Sequence, residues 1–139
     1  MPLNMRLRFS PKKDGLVKVL GPLETEIMQT LWQDTRSTVK KVHRKLSQQR
    51  DIAYTTVMTT MGRLAEKGVL NRQREGLAYV YTPAISEEEF VSMVVHQVLD
   101  GLMDDYSDMA IDYMIDYLSK NNPEELRRLQ QAIQSRSSQ

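Results

Sequence analysis

Cysteine is absent from the 139 residues. Its absence excludes disulfides, thiolate metal sites and cysteine nucleophiles, and it fits a cytoplasmic location. No apolar run approaches the about 20 residues that span a bilayer, so no membrane partner is expected. The opening stretch MPLNMRLRFSPKKDG has no continuous apolar segment, so a secretory signal is not expected either. There is no Ser-His-Asp set, no glycine loop that could cradle phosphate and no isolated pair of catalytic carboxylates. An enzyme is therefore not expected, and no cofactor or metal is implied.

Net charge is also nearly missing, at +1, but the balance hides a division. Residues 1–85 carry 15 Lys and Arg against 7 Asp and Glu, whereas residues 86–139 carry 4 against 11. Such asymmetry suggests that the first part meets a polyanion and the second does not. A hydrophobic fraction of 40% and a charged fraction of 27% are values of a folded chain rather than a disordered one.

Residues 1–18 show no periodicity and read as a basic N-terminal arm, with Arg6, Arg8, Lys12, Lys13 and Lys18. Residues 19–85 hold three helical patterns and a hairpin. The first helix begins near Pro22 and carries Leu23, Ile27 and Leu31 at i, i+4, i+8, with Trp32 extending the stripe. A second, from about Val39 to Gln49, has Thr38 as N-cap and Val39, Val42 and Leu46 on its apolar face. Lys40, Lys41, Arg44 and Lys45 fill its other faces. A third, from about Tyr54 to Lys67, turns Val57, Met61 and Leu64 inward and stops at Gly68. Threonines 55, 56, 59 and 60 are poor helix formers, so their use on the outer face points to their hydroxyls. From Val69 to Pro83 a two-stranded hairpin is expected around Glu75-Gly76, its outgoing strand carrying Arg72 and Arg74.

Residues 86–139 read as an acidic helical domain for dimerisation. Ser86 and Glu89 form a capping box. Phe90, Val94, Val98 and Leu102 make one stripe, with Val91, Val95, Leu99 and Met103 beside it. A further helix carries Ile111, Met114, Ile115 and Leu118. Asn122, Pro123 and Glu125 open a last one, with Leu126, Leu129 and Ile133 as its stripe, before a polar tail at 135–139. Apolar faces this wide exceed what one thin layer covers, which places Phe90, Val94, Val98, Leu102, Ile111, Ile115, Leu118, Leu126 and Leu129 at a dimer interface.

The fold class expected is mostly α with a small β-hairpin: a winged helix-turn-helix followed by a helical dimerisation domain. Helix 2 would brace helix 3, which presents short polar side chains to base edges in a groove about 12 Å wide. Threonine offers a hydroxyl to bases and a methyl to thymine. Arg72 and Arg74 would reach phosphates or the minor groove, and Lys40 and Lys41 neighbouring phosphates. His43 reads either as a phosphate or pH-sensitive contact or as an ordinary surface histidine. His96 reads as a packed interface residue rather than a ligand, and Asp100, Asp104, Asp105 and Asp108 as a solvated acidic face lacking the spacing of a calcium loop.

The runs LGPLETEIMQTLW, TVKKVHRKLS and AYTTVMTTMGRLAEKGVL resemble the penicillinase-repressor family, also called the BlaI/MecI family, over roughly residues 19–133. The resemblance is strongest in YTTVMTTMGRLAEKG, residues 54–68. It implies a homodimeric transcriptional repressor on an inverted-repeat operator of double-stranded DNA. It also implies that Thr55, Thr56, Met58 and Thr59 face bases and that Arg63 faces phosphate. In the β-lactam branch of the family a protease cuts an Asn-Phe bond. The nearest dipeptides here are Asp112-Tyr113 and Asp116-Tyr117, so an upstream sensor or protease stays unidentified. The cysteine motif of the copper-responsive branch is absent. The competing reading is an interaction protein without sequence preference, docking on a protein partner or on DNA as an architectural factor.

Overall fold

Residues 20–138 are described by the computed structural model; the basic arm expected over 1–18 lies outside them. Pro22 opens α1 (Pro22–Asp34), where its missing N–H is no loss. The helix buries Ile27, Met28 and Leu31 completely, with Leu23 packed at the edge. It ends at Thr35, whose φ of 65° is the only positive value among the described non-glycine residues.

Thr38 caps α2 (Val39–Ser47) by accepting from the Lys41 N–H at 3.2 Å, and Val39, Val42 and Leu46 point into the core. The helix stops two residues before the expected Gln49. There the N–H groups of Gln48 and Gln49 bond three residues back, tightening the last turn. α3 (Tyr54–Glu66) buries Val57, Met61 and Leu64 at 0% exposure. Gly68, at φ 84°, ends it in a Schellman motif: Val69 N–H donates to Leu64 O at 3.0 Å and Gly68 N–H to Ala65 O at 3.1 Å.

Two antiparallel strands follow, β1 (Leu70–Glu75) and β2 (Ala78–Pro83), with Leu70 opposite Pro83 and Arg72 opposite Tyr81. Ser37, between α1 and α2, exchanges both backbone hydrogen bonds with Tyr81, at 3.0 and 2.8 Å. These two bonds tie the hairpin to the α1–α2 connection, and Leu70 and Tyr81 join the same core. Helix-helix-helix-hairpin in this arrangement is a winged helix-turn-helix.

Ser86 caps α4 (Glu87–Asn121) by accepting from the Glu89 N–H at 3.0 Å, as the capping box requires. The two helices expected here are present within this range and meet at a kink at Tyr106, whose φ of −134° and ψ of 35° are not helical. Asn122 accepts from the Glu125 N–H at 3.4 Å and starts α5 (Pro123–Ser137), which takes up most of the expected polar tail.

The chain forms two compact units, one through Val95 and one from His96 onward. The first therefore includes the opening turns of α4, which sequence patterning assigned wholly to the acidic domain. Phe90, expected at a dimer interface, lies instead in the core of this unit at 0% exposure. Its ring packs against Trp32 of α1, and Trp32 Nε1 donates to Ile85 O at 3.0 Å. Val94, from the same stripe, is half-buried against that core. The reason is geometric: α4 begins on α1, so its first inward-facing residues are used within the chain.

Candidate nucleic-acid interface

One side of α3 is closed by the core, and the other is open. Thr55, Thr56, Met58 and Thr59 are all exposed, Met58 at 45%. Thr60 donates its hydroxyl to Thr56 O at 2.8 Å along the helix. Among the described residues no group takes the hydroxyls of Thr55, Thr56 or Thr59, so they face outward toward an incoming acceptor or donor. The four residues named from sequence as base-reading thus share one open surface. Tyr54, 45% exposed at the first position of α3, stands beside them and was not singled out from sequence.

The helix is held at this angle by a residue whose role was open in the sequence. His43 of α2 is half-buried, its Nε2 lying 2.7 Å from Ile52 O, in the turn between α2 and α3, and 3.1 Å from Ser47 Oγ. Since Ile52 O only accepts, Nε2 carries the proton and donates to it. The imidazole also meets the Tyr54 ring edge-on, with centroids 5.6 Å apart. His43 therefore fixes the turn that aims α3 and is neither a bare surface histidine nor a free phosphate contact. No side-chain pattern in the sequence announces that bond, since its acceptor is a backbone carbonyl nine residues on.

Charge is sorted within the first unit as well as between the two halves. Lys67 pairs with Glu24 at 3.1 Å, Arg50 with Glu26 at 3.2 Å, Lys45 with Asp34 at 3.5 Å and Arg36 with Glu75 at 2.8 Å. Among the described residues Lys40, Lys41, Arg44, Arg63, Arg72 and Arg74 form no salt bridge. Five of these six are residues named from sequence as phosphate or groove contacts. Acidic residues of α1 and Glu75 thus pair with Arg36, Lys45, Arg50 and Lys67 and leave these six cations of α2, α3 and the wing without such a partner among the described residues.

Strand alternation puts Leu70, Arg72 and Arg74 on one face of the wing. The Arg72 guanidinium lies 5.0 Å from the Tyr79 ring centroid and beside Gly62 of α3, where an added Cβ would sit 3.8 Å from its Nη1. The neighbouring Tyr81 side chain holds the Arg72 pKa above its ordinary value. Arg74 donates from Nε to Gly76 O at 3.3 Å. Both arginines remain exposed.

The remaining residues expected at a dimer interface fall on the second unit, save Phe90 and Val94. Leu102, Ile111 and Ile115 are exposed by 40–46%, and Val98, Leu118, Leu126 and Leu129 are half-buried. Among the described residues none beyond Phe90 is buried. No three His, Asp or Glu side chains among the described residues group as metal ligands would, and no helix among them is long and apolar enough to cross a membrane.

Comparison with known proteins gives a consistent placement. Residues 20–135 match the family described as penicillinase repressor. The chain is 36% identical over 111 residues to the transcriptional regulator BlaI of Mycobacterium tuberculosis, covering 78% of this chain and 80% of that protein. It is 26% identical over 117 residues to the penicillinase repressor of Bacillus licheniformis, covering 83% and 89%. Among solved structures, the DNA binding domain of the repressor BlaI is 34% identical, covering 49% of this chain and 83% of that one, with a TM-score of 0.46. The chain belongs to the penicillinase repressor family.

Proposed function

We propose that the protein is a sequence-specific DNA-binding transcriptional repressor that acts in the cytoplasm as a homodimer on an inverted-repeat operator. The observation that carries the reading is the open face of α3. Three outward-facing threonine hydroxyls and Met58 stand there among cations that form no salt bridge with the described residues, on a helix whose other face is immobilised in the core. Short polar side chains on a rigid helix suit base edges in the major groove, and the surrounding Lys40, Lys41, Arg63, Arg72 and Arg74 suit the phosphates beside it. Membership of a family of transcriptional regulators rather than enzymes agrees with this reading.

What supports the homodimer is the second unit. A helical layer in which no described residue is buried and in which Leu102, Ile111 and Ile115 are so exposed lacks a core of its own. A second copy, presenting the same surface about a two-fold axis, would supply it. Two reading heads related by that axis call for two inverted half-sites, one helical turn or a multiple apart.

Selection of binding sites from fragmented genomic DNA tests the proposal. Recovery of an inverted repeat upstream of a small set of genes is the expected result. Enrichment that follows base composition alone would favour an architectural factor instead.

A further inference from the structure

The start of α4 borders a cleft that no described residue fills. Half-buried Trp32, Pro83, Ala84 and Ile85 make its apolar floor, and Glu87, Glu88 and Glu89 stand along its edge, around a space of about 800 Å³. A second depression, of about 440 Å³, adjoins it at Trp32 and Glu87 and runs past Gln33 and Gln29, one turn back along α1. The three carboxylates form no salt bridge among the described residues. Such a cleft suits an occupant in which apolar side chains and cations are interleaved.

The chain itself carries a segment of that kind. Residues 1–18 sustain no period as a whole, but within them Leu3, Met5, Leu7 and Phe9 alternate with Asn4, Arg6 and Arg8. Alternation gives an extended segment one apolar edge and one basic edge. The arm holds five Lys and Arg against one Asp, opposite in sign to the edge of the cleft. It also joins the fold within reach. Leu20 is buried just before α1, and the cleft lies at the other end of that helix. The 13 residues of α1 measure about 20 Å, and residues 10–19 can span about 33 Å when extended. Residues 3–9 can therefore lie in the cleft of their own chain. The tether holds them there at an effective concentration of about 1 mM, so a contact too weak to retain a free peptide at ordinary concentration is well populated.

We propose that residues 3–9 dock in this cleft of the same chain, with Leu7 and Phe9 over Trp32 and Ile85 and with Arg6 and Arg8 beside the carboxylates of α4. Docked, the arm spends its cations on carboxylates rather than on phosphates, so the chain withholds its own arm from DNA. The docking does not depend on the reading of bases by α3.

The test uses Trp32, the only tryptophan of the chain, whose fluorescence reports on the cleft alone. Deleting residues 2–10 should shift its emission to the red and raise its quenching by acrylamide. Leu7→Ser with Phe9→Ser in the full chain should do the same, with an unchanged far-UV circular dichroism spectrum. A free peptide of residues 1–18 should reverse both changes in the shortened chain, with half-saturation at about 1 mM or below. Glu87→Gln with Glu88→Gln should weaken that binding about fivefold. Equal quenching of Trp32 in the full, shortened and doubly substituted chains overturns the proposal. If the deletion then also flattens the slope of log K against log salt for DNA, the arm's partner is DNA instead. Protection of Trp32 that is lost on dilution, in step with dissociation of a dimer, gives the cleft to the arm of a second copy and overturns docking within one chain.

Discussion

The Phe90 ring at the start of α4 lies with its centroid 6.0 Å from that of Trp32 in α1, tilted by 49°. That contact makes the opening turns of α4 part of the winged-helix core and sets where the reading head can be cut from the rest. Phe90→Ala should destabilise the protein by about 3–5 kcal/mol, the range for emptying a buried phenylalanine site. A chain ending at Ala84, the boundary that charge and patterning suggest, should be poorly folded, and one ending at Val95 should fold. Urea denaturation of the three proteins checks this. A cooperative, wild-type-like transition in the chain ending at Ala84 would refute the shared core.

Shortening to Val95 also tests the dimer. Residues 96–139 carry 8 Asp and Glu against 4 Lys and Arg, together with the exposed apolar residues. The shortened chain should be monomeric by light scattering and should bind an intact operator little better than a half-operator. Joining two heads raises the effective concentration of the second to near mM, which can add about 10²–10⁴ in affinity. Loss of the acidic half acts in the other direction on random DNA, where binding should be kept or raised at low salt. A shortened chain that remained dimeric would place the interface elsewhere.

The sorting of ion pairs gives a sharper test than total charge. Arg63→Ala, Arg72→Ala and Arg74→Ala should each lower the slope of log K against log salt by about 1. Arg50→Ala and Lys67→Ala remove equal charges, but those groups are tied to Glu26 and Glu24, so the slope should hardly change. Salt titrations of the five variants decide the matter, and five equal losses of slope would show that net charge alone drives binding.

Thr35 is strained. A β-branched residue at φ 65° and ψ −31° pays a steric cost of about 1–2 kcal/mol, of which glycine is free. Glycine gives back about 0.5–1 kcal/mol through the unfolded chain. Thr35→Gly should therefore stabilise the protein by roughly 0.5–1 kcal/mol, seen as a higher denaturation midpoint with an unchanged m-value. A lowered midpoint would mean that the bond from Thr35 Oγ1 to Asp34 O, at 2.6 Å, outweighs the strain.

Much of the first unit was legible in the sequence because its signals are local. Pro22, Thr38, Gly68, Gly76 and Ser86 mark starts, stops and turns through their own backbone chemistry, and Val57, Met61 and Leu64 declare a helix face by spacing. The fate of Phe90 was not legible. Its i+4 stripe with Val94, Val98 and Leu102 is the same whether the partner is α1 of its own chain or a second chain, and only tertiary packing decides between them. His43 was obscured by the lysines and arginines around it, because its partner is a backbone carbonyl nine residues away, which no side-chain pattern announces. The two apolar stripes of α4 announced two helices, but not that they part at Tyr106, where no proline or glycine marks the break.

The central claim is that α3 reads base sequence, and competition binding at fixed salt tests it most directly. The full chain, its selected operator and random DNA are compared, with Thr56→Ala and Thr59→Ala alongside. Wild type should prefer operator over random DNA by about 10³ or more. Each variant should lose about 1–3 kcal/mol on the operator and almost nothing on random DNA. Equal losses on both DNAs, or a wild type that does not distinguish them, would contradict the account.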